Sequence, residues 1–287
     1  MENSRGIIYM TLAMAGFALE DLLLKVLSNL MPISQILIFI GIVAGLLFYM
    51  IAKVNNTDVF TKEIFESKTI RIRTIADMFG AVFIVSALSM VPLSTVSSIL
   101  QATPILVTLG AALIFKEQVG WRRWAAVFVG LIGVILILKP GMNSFQVPSL
   151  FALIGVLFLA LRDLVTRKVK SNVPSLTVSI YAFAGAAAGG ILTIPFTSSF
   201  VMLTTSQWLL LLAATLVGCF SYLTLVLATR AGEISAIAPF RYTRLIFALL
   251  LSVFILKERP DLHTITGACI IILSGYYTFW RENIPKM

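Results

Sequence analysis

The sequence predicts an all-α integral membrane protein with ten transmembrane helices in two inverted five-helix repeats. Composition, the spacing of the apolar stretches and an internal repeat predict it together. Of the 287 residues, 59% are hydrophobic and 12% charged, whereas a soluble domain carries about 25% charged residues. With a mean hydropathy of +0.99, the chain has too few polar groups to cover a soluble surface, which excludes a cytosolic enzyme, a secreted disulfide scaffold and a disordered chain. Cys219 and Cys269 both lie inside apolar runs, so they offer neither a disulfide framework nor metal-ligand spacing.

A helix needs about 20 apolar residues to cross roughly 30 Å of hydrocarbon. Ten stretches qualify, at about 6–27, 32–52, 72–91, 93–115, 122–139, 148–168, 175–196, 206–229, 235–256 and 262–281. Every backbone group must be satisfied internally in lipid, and these lengths suit helices rather than the shorter alternating strands of a barrel. The first stretch carries Glu20, Asp21 and Lys25 and lacks a small-residue cleavage site, so it reads as a retained helix and not a signal peptide. Small residues four apart, Gly41 with Gly45 and Gly185 with Gly189, read as close helix packing. Between spans two and three, Thr57 to Lys68 places Phe60, Ile64 and Phe65 at helical spacing, the pattern of a short helix lying on the membrane surface.

The formal net charge of +9 is first a topology signal. An even number of spans puts both termini on one side. Of the 22 Lys and Arg residues, 15 then share the side of the N-terminus, four (Lys25, Lys139, Lys257, Arg259) lie on the other, and Arg162, Arg241 and Arg244 lie within spans. This bias puts both termini in the cytoplasm and assigns the positive charge to an anionic leaflet, so no nucleic acid is called for. Trp121, Trp124 and Trp280 fall at span ends and read as interface anchors.

Self-comparison then divides the chain in two, at 1–141 and 142–287. Ala18-Leu19-Glu20-Asp21-Leu22 matches Ala160-Leu161-Arg162-Asp163-Leu164 at an offset of 142, which also carries Pro32 onto Pro174 and Lys25 onto Arg167. Ile114-Phe115-Lys116-Glu117 matches Ile255-Leu256-Lys257-Glu258 at an offset of 141, with Ser94 and Ser235 in step. Each unit has five spans. Because five is odd, the second copy enters the membrane from the opposite side, and inverted repeats supply the two near-equivalent conformations of alternating access.

These residues resemble the EamA-type carriers of the drug/metabolite transporter superfamily. The likeness rests on the two five-helix repeats, on Lys116-Glu117 and Lys257-Glu258 closing the fourth helix of each, and on Gly130 to Gly133 followed by Leu138-Lys139-Pro140-Gly141. Ala238-Pro239-Phe240-Arg241-Tyr242 is similar to the ninth-helix motif of a bacterial subgroup that includes S-adenosylmethionine carriers. Arg244 departs from that subgroup, where a neutral or acidic residue is expected, and argues against a cationic substrate. The resemblance implies a multi-pass protein of the bacterial cell inner membrane.

Ionisable groups inside the spans are the candidate functional residues, because each costs about 2.5–3.5 kcal/mol to insert. There are eight: Glu20, Asp21, Asp77 and Asp163 against Lys25, Arg162, Arg241 and Arg244. Asp21 with Lys25, and Asp163 with Arg167, are four apart and share a helical face. They are either helix-end ion pairs or opposing gates. Arg241 and Arg244 share a face close to the midplane, where substrates bind. Glu20 is the acid best placed by depth to meet them, so the arginines either close a structural network or bind a substrate carboxylate. Gln101, Thr103 and Pro104 occupy the equivalent place in the first repeat, where a helix-breaking proline frees backbone carbonyls. Phe79, Phe83, Tyr222, Phe240 and Tyr242 offer aromatic surface, for packing or for an amphipathic solute. Asp77 reads as an interfacial partner of Arg71 and Arg73.

Function follows largely by exclusion. The one histidine, His263, lies at a span end, and no H-E-x-x-H, G-x-S-x-G or aspartate-rich motif is present, so no catalytic residue, metal or cofactor is assigned. A channel would want a pore-lining ring of charges or carbonyl loops. The remaining class is a secondary transporter working by alternating access, with Glu20, Gln101, Thr103, Tyr222, Arg241, Tyr242 and Arg244 as substrate-binding candidates. The resemblance implies export of small amphipathic metabolites such as amino acids, and the arginines favour a carboxylate-bearing one; the alternative is uptake of a nucleoside-type metabolite such as S-adenosylmethionine. Its partners are then that metabolite, with or without protons, and membrane lipid, in a monomer or a homodimer.

Overall fold

The computed structural model describes residues 2–116, 120–140, 146–169, 173–231 and 237–282, with 2–3, 122–123, 229–231, 238–239 and 278–282 described as backbone alone. Glu117, Gly141, Ser235 and the side chain of Trp280 therefore lie outside the description. Among the described residues all regular structure is helical: α1 Glu2–Ser28, α2 Ile33–Val54, α3 Lys62–Glu66, α4 Lys68–Met90, α5 Leu93–Leu100, α6 Thr103–Ile114, α7 Trp121–Leu138, α8 Ser149–Thr166, α9 Ser175–Thr193, α10 Thr205–Ala231, α11 Thr243–Phe254 and α12 Leu262–Glu282, with 3₁₀ turns at Ile194–Phe196 and Ala238–Tyr242. Seven segments are long and apolar enough to cross a membrane, and Trp124–Leu138 and Leu262–Tyr277 are shorter apolar helices. The ninth stretch is interrupted: Pro239 opens the 3₁₀ turn that precedes the short α11. The fourth is divided into α5 and α6, with Pro104 in the first turn of α6. Proline has no N–H with which to bond backwards, so both breaks have the same chemical cause.

Equivalent positions in the two halves adopt equivalent conformations. Pro32 and Pro174 precede α2 and α9 with φ/ψ of −64°/145° and −63°/143°. Lys116 and Lys257 both take the left-handed conformation, at φ 54° and 57°, which costs a side-chain-bearing residue about 1–2 kcal/mol. A third lysine, Lys139, caps α7 in the same region. Packing repeats as well. Helix α1 lies along α10 and α11 while α8 lies along α4 and the α5–α6 pair; α2 faces α9 and α7 faces α12. Exchanging the halves leaves this pattern unchanged.

Small residues permit the close approaches. A Cβ on Gly41 would stand 2.4 Å from the Ala187 backbone nitrogen, and Gly133 and Gly267 each abut the other's carbonyl oxygen, at 2.8 and 2.6 Å. The expectation for Gly41 with Gly45 holds for the first alone, since Gly45 has only the Phe183 Cβ, at 3.9 Å. Gly185 and Gly189 rest against α4, at Thr74, Met78 and Val82. The core gathers on α5, where Leu93, Val96 and Ile99 are fully buried. Ile8, Leu12 and Leu19 lie outward along one side of α1, the apolar surface a lipid-facing helix needs. Helix α3 is capped by Thr61, whose Oγ1 accepts from the Ile64 N–H. It buries Ile64 and leaves Phe60 and Phe65 about 70% exposed, as a surface-lying helix requires.

Candidate substrate site

Both helix breaks face each other. Gln101 Nε2 donates to the Tyr242 carbonyl at 3.2 Å, and the two residues are repeat counterparts, 141 apart. Each break uses a threonine hydroxyl to occupy a carbonyl left by the interruption: Thr103 to Leu100 and Thr243 to Phe240, both at 2.6 Å. Thr103 is thus committed locally. Tyr242 is buried, with its hydroxyl packed against Gly275 of α12, so its backbone rather than its ring belongs to the junction.

The intramembrane charges converge on this junction, with pairings that differ from those expected. Asp21 is clasped by Arg244, whose Nη2 reaches Oδ1 and Oδ2 at 2.9 and 2.8 Å and whose Nε donates to Oδ2 at 3.1 Å. The expected Asp21–Lys25 pair is corrected: a planar guanidinium satisfies both carboxylate oxygens at once, which an ammonium cannot. Lys25 instead donates to the Val91 carbonyl at 2.8 Å, at the C-terminal end of α4. Glu20 lies within electrostatic reach of Arg244 as expected, but the arginine fork itself is taken by Asp21. Asp21 is only 4% exposed, and the Arg244 guanidinium lies over the Phe17 ring at 5.3 Å.

A second cluster joins α4 and α8. Arg162 binds the adjacent Asp163 through Nε and Nη2, at 2.9 and 2.8 Å, and donates from Nη1 to Asp77 Oδ1 at 3.2 Å. Asp163 is therefore held by its neighbour, Arg162, rather than depending on Arg167 alone as the spacing suggested. Arg73 lies 2.7 Å from Asp77 Oδ2, as an ion pair off the hydrogen-bonding direction, and donates to Thr166 Oγ1 and the Val178 carbonyl. The Arg73–Asp77 pair is the one expected, and both residues are buried within the bundle. Arg241 and Arg73 also act electrostatically on Asp163, and Arg162 is within reach of Tyr222. Tyr222 meets the Phe48 and Phe183 rings edge-on. Phe79 and Phe83 stack on Phe158 of α8, which makes them packing.

A third set of contacts closes the end of the bundle that carries Lys25. Glu258 accepts from the Leu93 and Ser94 backbone N–H groups and the Ser94 hydroxyl, at 2.8, 3.0 and 2.9 Å, so the second Lys-Glu motif caps a helix of the first half. Lys139 pairs with Asp261. A cavity of about 170 Å³ beside them is lined by Ser94, Lys139, Glu258 and Arg259 among others. It holds none of the expected substrate residues, and the charged centre is the better candidate site because ionisable groups deep in spans mark transport pathways.

Comparison with known proteins agrees with this arrangement. The EamA-like transporter family model matches twice, over residues 4–139 and 147–280. An S-adenosylmethionine uptake transporter of Rickettsia prowazekii is 26% identical over 71% of this chain and 69% of its own length. The pseudopaline exporter CntI of Pseudomonas aeruginosa is 25% identical over 94% of both chains. A riboflavin transporter of Vibrio cholerae is 27% identical over 67% and 65%. A crystal structure superimposes with a TM-score of 0.66 at 20% identity over 96% of each chain, a likeness of fold. A helical bundle with a charged centre at paired helix breaks defines a membrane transporter. The chain belongs to the EamA-like transporter family: it is a multi-span carrier of small metabolites and not an enzyme.

Proposed function

We propose a secondary carrier of ten spans, in two inverted repeats at 1–141 and 142–287, that moves a carboxylate-bearing, amino-acid-like metabolite across the bacterial inner membrane by alternating access, in the direction of export, with both termini cytoplasmic. The observation that carries the reading is the meeting of both helix breaks, through Gln101 and Tyr242, beside the intramembrane charges. Broken helices are where transporters expose backbone and charge to a solute without facing lipid. Ten crossings would be made up of the seven spanning segments, the two shorter apolar helices and α11. Arg241 is the free arginine of the pair, since Arg244 is engaged by Asp21. Lys25, with Glu258 and the Lys139–Asp261 pair, would close one face, and Arg73, Asp163 and the region of Arg167 the other.

The names of the Rickettsia relatives and the ninth-helix motif favour a second reading, uptake of S-adenosylmethionine. Proteoliposomes loaded with amino acids, S-adenosylmethionine or riboflavin, with and without a pH gradient, separate the readings. We expect an amino acid to exchange. Movement of S-adenosylmethionine alone supports the second reading, and failure of every solute to move overturns both.

A further inference from the structure

The charged centre holds four carboxylates and four guanidiniums, and its ion pairs use three of each. Asp21 takes Arg244, and Asp77 and Asp163 take Arg73 and Arg162. Two groups of opposite sign are left. Among the described residues Glu20 accepts no hydrogen bond although Arg244 and Asp21 act on it through space, and Arg241 donates none although it acts through space on Asp163. Glu20 is half-buried, and Arg241 is exposed in the middle of the ninth stretch. Ions inside a membrane protein normally pair with each other, and those that do not line the path of a solute.

Comparison of the halves shows that this is a local departure from the repeat. Arg162 of α8 bonds Asp77 of α4. At the equivalent place Arg162 becomes Glu20 and Asp77 becomes Gly218, where a Cβ would stand only 2.4 Å from Glu20 Oε1. A structural ion pair in one interface is thus a single carboxylate beside a glycine notch in the other. The Asp21–Arg244 clasp then fixes the level of the two unpaired charges. Glu20 precedes Asp21 by one residue and Arg241 precedes Arg244 by three, and spans one and nine run in the same direction when eight crossings separate their starts. Both charges therefore lie on the same side of the clasp, within about one turn, or roughly 5 Å, of its level.

Resting on the carrier reading above, we propose that Glu20 and Arg241 are the two poles of a site for a zwitterion. Arg241 receives the substrate carboxylate on its guanidinium fork, and Glu20 receives the cationic ammonium or sulfonium. The adjacent Asp21–Arg244 clasp is scaffold. An amino-acid head group has this chemistry whether it belongs to a free amino acid or to S-adenosylmethionine, and a neutral solute lacks it.

The test is solute competition and exchange in proteoliposomes with L-leucine, L-methionine, S-adenosylmethionine, N-acetyl-L-methionine, L-methioninamide and riboflavin. The expected result is movement of at least one zwitterion. Loss of either head-group charge should weaken competition about ten- to 100-fold, the worth of one charged hydrogen bond. Glu20→Gln should selectively narrow the gap between methionine and N-acetyl-L-methionine, and Arg241→Gln the gap between methionine and its amide. If the variants do not fold, as judged by size exclusion in detergent, the discrimination of the wild-type protein against the two derivatives decides. Equal acceptance of either derivative by the wild-type protein, a uniform effect of both variants, or transport of riboflavin without any zwitterion overturns the inference and leaves the carrier reading standing. If nothing moves, the carrier reading fails and this inference falls with it.

Discussion

Arg244 shows what a single side chain contributes here. Its fork joins α11 to α1 through a carboxylate almost without solvent access, so removing one partner leaves the other buried and unpaired. Asp21→Ala and Arg244→Ala should each lower stability by about 3–5 kcal/mol, and the double substitution by clearly less than the sum, measured as a cycle of thermal midpoints in detergent. Arg244→Lys should recover only part of the loss. A second residue-level prediction concerns Asp261, which lies outside the spans. Burial alone raises its pKa, but hydrogen bonds from Lys139 and from the Thr264 N–H outweigh that and hold it below the usual carboxylate range. A depressed carboxylate stabilises the fold above its unfolded value, near 4, and loses that contribution as pH falls through the lower folded value. Asp261→Asn should therefore reduce the thermal midpoint at pH 7 and converge on the wild-type midpoint once pH has fallen below the folded value of Asp261. The carboxylate side chain is 48% exposed, so the difference should stay within about 1 kcal/mol. Depth counting along a helix matched Glu20 to the arginines of the ninth span, because rise per residue is uniform. It could not choose between Glu20 and Asp21, since neighbours on a helix point about 100° apart and the partner lies 223 residues away. Arg73 pairs with Asp77 as their spacing of four predicts, whereas its other partners, Thr166 and Val178, belong to the other half and left no mark in the local sequence.

At the scale of helices, apolar runs of spanning length give themselves away in sequence because lipid demands them. The interruptions in the fourth and ninth spans were legible only as prolines, since whether Pro104 kinks or breaks a helix depends on what occupies the freed carbonyls. Helix contacts are a finer matter. Gly41 and Gly45 look alike in sequence, four apart on one face, yet only Gly41 meets backbone across the α2–α9 interface. Gly41→Ala should destabilise the protein by about 1–3 kcal/mol through overpacking, whereas Gly45→Ala should be neutral or stabilising by up to about 1 kcal/mol from helix propensity. Parallel thermal-stability measurements in detergent check both, and equal effects would reject the assigned contact.

For the whole molecule, the charge bias predicts that fluorescent-protein fusions at either terminus glow and that alkaline phosphatase fusions at either terminus are inactive. The opposite pattern would reverse the assigned faces without altering the fold. The internal repeat was readable from short matches, and its expression in space, α1 on α10 as α8 on α4, follows from the same sequence units folding alike. What the sequence could not convey is where the halves touch. Gln101 and Tyr242 are counterparts that bond each other, and a contact between a residue and its own counterpart lies on the axis that relates the halves. In the alternating access proposed above, one half would rock against the other and points on that axis would travel least. The hydrogen bond thus marks a fulcrum: spin labels on α5 and α11 near it should keep one separation through the cycle, while pairs spanning the Lys25 end and the Thr166 end lengthen and shorten in opposition.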